Sequence, residues 1–178
     1  YAIAGSGPPL VKTANWMNHL EYDWESPIWR HVCLGLAREH TLIRYDARGN
    51  GMSDWDVDEL SLDAWVSDLE TVVDAAGVER FPLLGISQGC AVSVAYAVRH
   101  PERVSHLVVF GSYVQGLRKR AKSQDELELV EAYIDVIRLG WGGPDRTYRQ
   151  IVVSKFLPEG TQEEWRVFDE LQRRTASP

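Results

Sequence analysis

The sequence contains few cysteines and histidines and no long apolar run. Its 178 residues include two cysteines and five histidines, without a C-x-x-C motif or a Cys/His cluster. We therefore expect no metal site, and interpret Cys33 and Cys90 as reduced core residues of a cytoplasmic protein. No apolar run approaches the roughly 18 residues of a membrane span. A signal-peptide pattern is also absent, but that absence is uninformative because the chain opens with Tyr1 rather than Met.

Basic residues are scarce relative to acidic ones. There are 19 lysines and arginines against 26 aspartates and glutamates, which gives a formal net charge of −7. The longest basic run is only Arg118-Lys119-Arg120. Binding to a phosphate backbone requires a basic face. We therefore do not expect nucleic acid as a partner.

Apolar residues make up 44% of the chain, which is enough to bury one sizeable core. Apolar or β-rich runs alternate with helix-length segments, a pattern typical of a parallel sheet wrapped by helices. This order predicts an α/β fold. Strands are predicted over 10–14, 41–46 and 107–111, and a further strand from Phe81 onward. The first helix is predicted to begin at Pro27 with Ser26 as its N-cap, and the second to run from the N-cap Ser61 to Gly77. The third is predicted to start at Ser87 and to end before Pro101.

After Gly111 the pattern changes to helices without strands. The segments 123–126 and 161–164 fit the capping box, in which a hydroxyl at the N-cap is answered by a carboxylate three residues later. Between them, residues 140–144 form a glycine-rich break. We predict a core over residues 1–111 and a helical cap or lid over residues 112–178.

The most informative motif is Gly85-Ile86-Ser87-Gln88-Gly89, which follows a predicted apolar strand and opens a predicted helix. A serine held on a sharp turn between strand and helix has its hydroxyl pushed out of the sheet, and the flanking glycines avoid a clash across the turn. The motif indicates a nucleophile elbow, with Ser87 as the catalytic nucleophile.

Three features in this order carry a resemblance to the α/β-hydrolase family. They are the strand and turn over residues 10–16, the turn Asp46-Ala47-Arg48-Gly49-Asn50-Gly51-Met52-Ser53-Asp54, and the elbow at Ser87. The resemblance covers the chain from about Gly5 to its end and implies a partial α/β-hydrolase fold. Family members carry a fuller N-terminal strand and two further strands after the helical excursion. The strand 107–111 is therefore expected to be a free sheet edge, prone to pairing with another chain.

The resemblance also implies an oxyanion hole made of two backbone N–H groups. One is the N–H of Gln88 at the start of the helix after the elbow. The other lies after the first strand, where many members carry His-Gly-x and this chain has Ala14-Asn15-Trp16. By alignment the N–H of Trp16 is the second donor, with Asn15 replacing the family's glycine.

Other polar and aromatic residues near these motifs have structural interpretations. The glycine spacing around Arg48 fits neither a P-loop nor a dinucleotide fingerprint, so Arg48 is expected to pin its turn. Asp46, Asp54 and Asp56 are expected to be solvated turn carboxylates. Trp141 and Trp165 lie in the predicted lid, where they line either the core or a substrate pocket.

A serine nucleophile needs a base, which in this family follows the serine and an acid along the chain. Only two histidines follow Ser87. A helix of about 12 residues carries His100 roughly 18 Å from Ser87. His106 precedes its predicted strand and so belongs to the sheet edge opposite the catalytic strand ends. Neither is positioned to act as the base.

The remaining histidines precede Ser87. His40 precedes its strand, and His31 lies within a helix. His19 follows the first strand on the correct face of the sheet, so it is kept as a candidate base, although a hydrogen-bonding role in ordering its loop is favoured.

The leading hypothesis is a cofactor-independent serine hydrolase that cleaves an ester or related small-molecule acyl compound, a carboxylic-ester hydrolase, through an acyl-enzyme. Its base and acid are expected outside this sequence. An epoxide hydrolase is disfavoured because those relatives carry Asp in place of Ser87, whereas C–C bond hydrolysis and peroxidase-like activity use the same elbow and stay open. The alternative is a hydrolase-like ligand-binding or regulatory module with an incomplete triad.

Overall fold

The computed structural model of the chain describes residues 1–141 and 143–175. Gly142, within the predicted glycine-rich break, and residues 176–178, at the end of the predicted lid, lie outside the described residues. None of the described helices combines the length and the apolar character needed to cross a bilayer.

A five-stranded, mostly parallel sheet confirms the predicted α/β fold. The strands follow the spatial order β1-β3-β2-β4-β5; β1 is antiparallel to β3, and all other neighbours are parallel. The strands are β1 (Ala2–Ala4), β2 (Pro9–Lys12), β3 (Thr41–Arg44), β4 (Phe81–Ile86) and β5 (Val104–Phe110).

Helices flank this sheet and make up most of the chain after β5. The described helices are α1 (Leu20–Glu25), α2 (Arg30–Glu39), α3 (Leu62–Ala75), α4 (Gln88–Arg99), α5 (Leu117–Arg120), α6 (Gln124–Gly140), α7 (Arg146–Phe156) and α8 (Gln162–Thr175). No strand occurs among the described residues that follow β5.

Local capping signals fix several helix ends as predicted. The Ser61 hydroxyl accepts a hydrogen bond from the Ala64 N–H at 3.1 Å, and Gly77 follows α3 with φ +68°. Ser123 accepts from the N–H of Glu126 at 3.2 Å. Thr161 forms a reciprocal capping box at the start of α8, because its hydroxyl accepts from the Glu164 N–H and its own N–H donates to the Glu164 carboxylate.

The predicted start of α2 is wrong. The helix begins at Arg30 with Trp29 as N-cap, rather than at Pro27. Ser26 ends the preceding helix α1, which the sequence did not predict, and its hydroxyl accepts from the Ile28 N–H at 3.1 Å. Ser26 therefore stabilises a turn between two helices, using the hydrogen bond that an N-cap would make.

The predicted bounds of β5 also shift. The strand spans Val104–Phe110, so His106 lies inside it, opposite Pro82 of β4, and does not precede it. β5 is an edge strand, as expected. Its last four residues, 107–110, are apolar and between 39% and 69% exposed.

The main core lies between the sheet and the helices α3 and α4. Close packing on this side holds the β4–α4 connection in place. The fully buried members include Val66, Leu69 and Val73 of α3, Val92 and Tyr96 of α4, and Val11, Ile43, Phe81 and Leu83 of the strands.

A second apolar cluster joins the helices after β5 to the loop after β2. Met17 of that loop packs with Trp141 and with residues of α7 and α8, namely Val152, Val153, Phe168 and Leu171. The rings of Trp16 and Trp141 stack with centroids 5.2 Å apart. The helical segment is therefore docked onto the loop that leaves the carboxyl end of β2.

The close packing of β4 against α4 generates a stability prediction. A Cβ atom added at Gly85 would lie 2.7 Å from Ser93 Oγ and 2.8 Å from Cys90 Cα. We expect Gly85→Ala to lower the free energy of unfolding by about 1–3 kcal/mol, because the overpacked helix must shift. Urea denaturation of wild type and variant measures the change.

Gly35 provides a matched control. It lies within α2, and nothing occupies the 4 Å around its added Cβ atom. Gly35→Ala is expected to leave stability unchanged or raise it by about 0.5–1 kcal/mol. Equal stability of Gly85→Ala and wild type would contradict the packing described for the turn.

Candidate active site

Ser87 occupies a strained turn between β4 and α4. Its backbone has φ 52° and ψ −119°, and it is one of two non-glycine residues with positive φ among the described residues. The Ser87 N–H donates to the carbonyl of Phe110 at 2.9 Å, which ties the turn to the end of β5. Such strain persists only where the surroundings fix the backbone, and it is common at active sites. This geometry is that of a nucleophile elbow.

The first turn of α4 lies directly against the loop after β2. A Cβ atom added at Gly89 would be 2.8 Å from the carbonyl oxygen of Ala14. A buried pair of hydroxyls joins the same two segments, since Thr13 Oγ1 and Ser93 Oγ are 2.7 Å apart. The Thr13 N–H also donates to the Leu84 carbonyl at 2.9 Å. The loop after β2 is thus fixed beside Ser87.

The two sequence-predicted donors lie next to this turn. Gln88 is the first residue of α4, where the N–H groups of a helix have no intrahelical acceptor. Trp16 lines the same cavity as Ser87. Within the described part of the chain, the N–H groups of Gln88 and Trp16 donate to no protein acceptor. Both groups are therefore available to a bound oxyanion.

The cavity at Ser87 has a volume of about 790 Å³. Its walls come from the loop after β2, the segment after β5, and the helices α5, α6 and α7. Tyr113, Tyr133, Ile137 and Phe156 supply apolar surface. A pocket of this size and lining accommodates a small organic molecule.

The buried side chain of Lys12 forms hydrogen bonds that fix the loop after β2. Lys12 at the end of β2 is 6% exposed, and its ammonium donates to Asn15 Oδ1 at 2.6 Å and to Asn18 Oδ1 at 3.1 Å. Asn15 Nδ2 in turn donates to the Trp16 carbonyl at 2.8 Å. Met17, the next residue, has φ +59°. The asparagine in place of the family's glycine therefore orders the loop that carries the Trp16 N–H.

The expectation that Asp46 is a solvated turn carboxylate is wrong. Asp46 is 7% exposed and accepts hydrogen bonds from the N–H groups of Leu20 at 3.0 Å and Met52 at 2.9 Å, and from Asn18 Nδ2. It joins the loop after β2 to the turn after β3. This buried network is structural because each Asp46 oxygen has a protein donor.

Arg48 pins its turn as predicted. Its guanidinium forms a bidentate ion pair with Asp68 of α3, in which Nη2 donates to Oδ1 at 2.7 Å and Nε donates to Oδ2 at 3.1 Å. Such a fork-to-carboxylate pair fixes geometry as well as charge.

Burial shifts the pKa values of two charged groups behind the loop. It lowers the pKa of Lys12 to about 8 and raises the pKa of Asp23 to about 6. Asp23 Oδ2 accepts from the His19 N–H at 3.3 Å, whereas Asp23 Oδ1 is buried without a hydrogen-bond partner among the described residues. The charged form of each side chain is therefore disfavoured in the folded protein.

The structure does not bring His19 to Ser87. His19 is the N-cap of α1, where its Nδ1 accepts from the Tyr22 N–H at 3.2 Å. It lines a different cavity, of about 710 Å³, together with residues of β1 and Arg44. This geometry supports the loop-ordering role and offers no support for a base.

The other four histidines are also absent from the lining of the Ser87 cavity. His100 Nε2 pairs with Glu70 at 2.8 Å, and His106 Nδ1 lies 3.3 Å from Ser105 Oγ. His40 Nδ1 contacts the carbonyl oxygen of Leu36, and His31 is exposed on α2. All five histidines lie among the described residues, and none of them lines the cavity that contains Ser87.

The two tryptophans of the predicted lid make contacts within the protein. Trp141 is 6% exposed and stacks on Trp16, while Trp165 Nε1 donates to the Leu157 carbonyl at 2.9 Å. Neither lines the Ser87 cavity.

Sequence reasoning missed the Lys12 network and the lysine and arginine side chains around the cavity. A lysine placed within the apolar run Leu10-Val11-Lys12 was the available signal for a buried, partnered cation. The cavity walls contributed by α5, α6 and α7 depend on tertiary packing, for which the sequence carries no local signal.

The raised pKa of Asp23 predicts a pH-dependent effect on stability. In the folded state the group stays protonated up to about pH 6, whereas the unfolded chain ionises near pH 4. At this position the folded state therefore binds more protons between these values, and the contribution of Asp23 to stability is lost as pH rises through this window. Asp23→Asn removes the loss, so its stability relative to wild type should improve by up to about 3 kcal/mol between pH 4 and pH 7. Urea unfolding at both pH values tests this; a pH-independent difference would contradict it.

Comparisons with known proteins agree with this geometry. The sequence profile of the alpha/beta hydrolase fold matches residues 20–135. The chain is 37% identical over 111 residues to a 2-hydroxymuconate semialdehyde hydrolase of Pseudomonas sp. (strain CF600), covering 62% of this chain and 35% of that protein. It is 30% identical over 159 residues to a pyrrolizixenacetamide deacetylase of Xenorhabdus hominickii, covering 89% of this chain and 55% of that protein.

A solved hydrolase from Pseudomonas aeruginosa PA01 superposes with a TM-score of 0.72 at 21% identity, covering 98% of this chain and 62% of that one. The chain thus spans between a third and just over half of the two curated relatives. The mostly parallel sheet, the turn at Ser87 and the profile match lead to one conclusion. The chain belongs to the α/β-hydrolase fold family.

Proposed function

We propose that the protein is a serine hydrolase that cleaves an ester or related acyl compound, with Ser87 as its nucleophile. One observation carries the proposal: Ser87 sits on a positive-φ turn at a cavity that Trp16 also lines, and the N–H groups of Trp16 and of the adjacent Gln88 lack acceptors among the described residues. The two relatives named above are a hydrolase and a deacetylase, which supports the reaction class. The carboxylic ester as substrate is our assignment.

In the proposed reaction, Ser87 Oγ forms a bond to the acyl carbon and its proton passes to a base. The carbonyl oxygen becomes an oxyanion, which the N–H groups of Gln88 and Trp16 stabilise by about 3 kcal/mol each. The intermediate collapses, the bond to the leaving group breaks, and the leaving group takes up the proton. Water then attacks the acyl-enzyme by the same route, which releases the acid and restores Ser87.

The base and its acid partner are proposed to lie outside these 178 residues. None of the five histidines lines the Ser87 cavity, and a candidate base must come within about 3 Å of the proton it abstracts or act through one water. His19, held as the N-cap of α1, is not assigned a catalytic role.

Residues 112–178 are proposed to form the lid over the substrate. Helices α5, α6 and α7 contribute cavity walls, and the second apolar cluster docks this segment onto the Trp16 loop.

A cytoplasmic location is part of the proposal, supported by the buried free thiols of Cys33 and Cys90. The exposed edge of β5 supports self-association through strand pairing, which concentration-dependent sedimentation checks.

The alternative function is a ligand-binding or regulatory module whose triad is incomplete. This alternative is supported by the finding that no histidine lines the Ser87 cavity, which leaves Ser87 without a base among the described residues. A hydrolase fold alone does not establish catalysis. Reactivity of Ser87 distinguishes the two functions.

We predict that a fluorophosphonate probe labels the full-length protein at Ser87, because an activated serine attacks phosphorus as it attacks an acyl carbon. Ser87→Ala should abolish labelling, while Ser154→Ala, which removes an exposed serine of α7, should label like wild type. Intact-protein mass spectrometry measures the adduct. Undiminished labelling of Ser87→Ala would refute the nucleophile, and an unlabelled wild type would favour the binding module.

The hydrogen bond from Asn15 to the Trp16 carbonyl predicts an effect on the rate at which Ser87 is labelled. Asn15→Ala frees the loop, so the second-order rate constant of Ser87 labelling should fall about tenfold, less than the 10²–10³ lost when an oxyanion donor is removed outright. Glu21→Ala, which removes an exposed side chain of α1 that lines another cavity, is the control and should label at the wild-type rate. Equal rates for Asn15→Ala and wild type would show that Asn15 does not position the donor.

A further inference from the structure

Four cationic side chains line the cavity that contains Ser87. They are Arg118, Lys119 and Arg120 around α5, and Lys155 near the end of α7. No aspartate or glutamate is among the described residues that line it. The cavity wall is therefore cationic, although the whole chain has a net charge of −7.

Two of these cations lie against aromatic rings and form no ion pair among the described residues. The Lys155 ammonium is 3.9 Å from the centroid of the Tyr133 ring, and the Arg120 guanidinium is 5.3 Å from that of Tyr113. A ring face orients a cation but carries no net charge. These side chains thus lie at the cavity wall without a described carboxylate to offset their charge.

The other two cations differ in their pairing. Arg118 forms a bidentate ion pair with Glu131, at 2.6 Å and 2.9 Å. Lys119 has no ion pair with any described residue. Three of the four charges at the cavity therefore lack a carboxylate partner.

Arginines elsewhere in the chain commonly have carboxylate partners. Arg48 pairs with Asp68, and Arg103 pairs with Asp74 at 2.6 Å. Some cations outside the cavity, such as Arg30 and Arg80, also lack an ion pair among the described residues. Lys119, Arg120 and Lys155 differ from these because they line one cavity together and no described carboxylate lines it, so their charges act jointly on whatever binds there. A neutral acyl chain would leave this charge unused.

We propose that the acyl substrate carries an anionic group, which Lys119, Arg120 and Lys155 bind while Ser87 attacks the carbonyl carbon. This inference rests on the proposed function and names its substrate class. Carboxylates and phosphates share the required chemistry, an oxyanion that accepts charge-assisted hydrogen bonds. The anion stays unchanged in the reaction, so no further reactant is needed.

The test compares two esters on the full-length protein. These are 4-nitrophenyl hydrogen adipate, which ends in a carboxylate, and its methyl ester, which is neutral. We expect kcat/KM to be about tenfold higher for the anion, as one charge-assisted hydrogen bond implies, and the preference to shrink in 0.5 M NaCl. Equal values for the two esters, or a preference that salt does not change, would overturn the proposal.

Substitutions identify the cations responsible. Lys155→Met and Lys119→Met should each lower kcat/KM for the anionic ester several-fold and change the neutral ester less than twofold. Lys122→Met, which removes an exposed lysine outside the cavity, is the matched control and should leave both values unchanged. An anion preference that survives the double variant Lys119→Met/Lys155→Met would also overturn the proposal.

A binding measurement separates this inference from the proposed function. Calorimetry on Ser87→Ala compares monomethyl adipate with neutral dimethyl adipate, and butyl phosphate is the second anion. Tighter binding of either anion supports the site even if Ser87 proves unreactive, and the order of the two anions distinguishes a carboxylate from a phosphate site. Binding of dimethyl adipate as tight as that of both anions would overturn the inference while leaving the nucleophile intact.

Discussion

The close packing of the start of α4 against β4 and against the loop after β2 determines the geometry of the whole candidate site. Gly85 and Gly89 leave no room for a side chain, since an added Cβ atom would fall within 3 Å of Ser93, Cys90 or the Ala14 carbonyl. Ser87 accordingly takes a backbone conformation that L-residues rarely adopt. Because the same contact fixes the loop after β2, one packing constraint sets the relative positions of Ser87 and the Trp16 N–H.

A polar layer behind this contact supports the loop at an energetic cost. Burial disfavours the charged form of Lys12 and lowers its pKa to about 8. The side-chain acceptors of its ammonium are the neutral amide oxygens of Asn15 and Asn18, and it has no hydrogen bond to a carboxylate among the described residues. A buried charge satisfied in this way specifies geometry more than it contributes stability. The network joins Asn15 and Asn18 to Asp46, so the loop and the turn after β3 form one unit.

Features encoded over short stretches of sequence were predictable. The elbow motif located Ser87, and the hydroxyls of Ser61, Ser123 and Thr161 cap the helices as their local patterns indicate. The start of α2 was misplaced because Ser26 makes a cap-like hydrogen bond within a turn. Local chemistry of this kind cannot distinguish a turn from a helix start.

Features that depend on distant partners were not predictable. Asp46 is buried because Asn18 and Leu20, more than 20 residues away in sequence, donate to it. His106 lies inside β5 because pairing with β4 extends the strand by three residues. The cavity walls come from helices whose presence the sequence pattern indicates but whose orientation it does not. Only the tertiary packing of these helices shows that four cations line the cavity at Ser87.

Catalysis as proposed requires that Ser87 becomes covalently acylated during turnover. Rapid mixing of the full-length protein with a 4-nitrophenyl ester, followed by acid quench and peptide mass spectrometry, measures this directly. The account predicts a burst of one nitrophenolate per protein chain and an acyl group on the peptide that contains Ser87. Turnover without a burst and with an unmodified Ser87 peptide, or an acyl group on another residue, would contradict it.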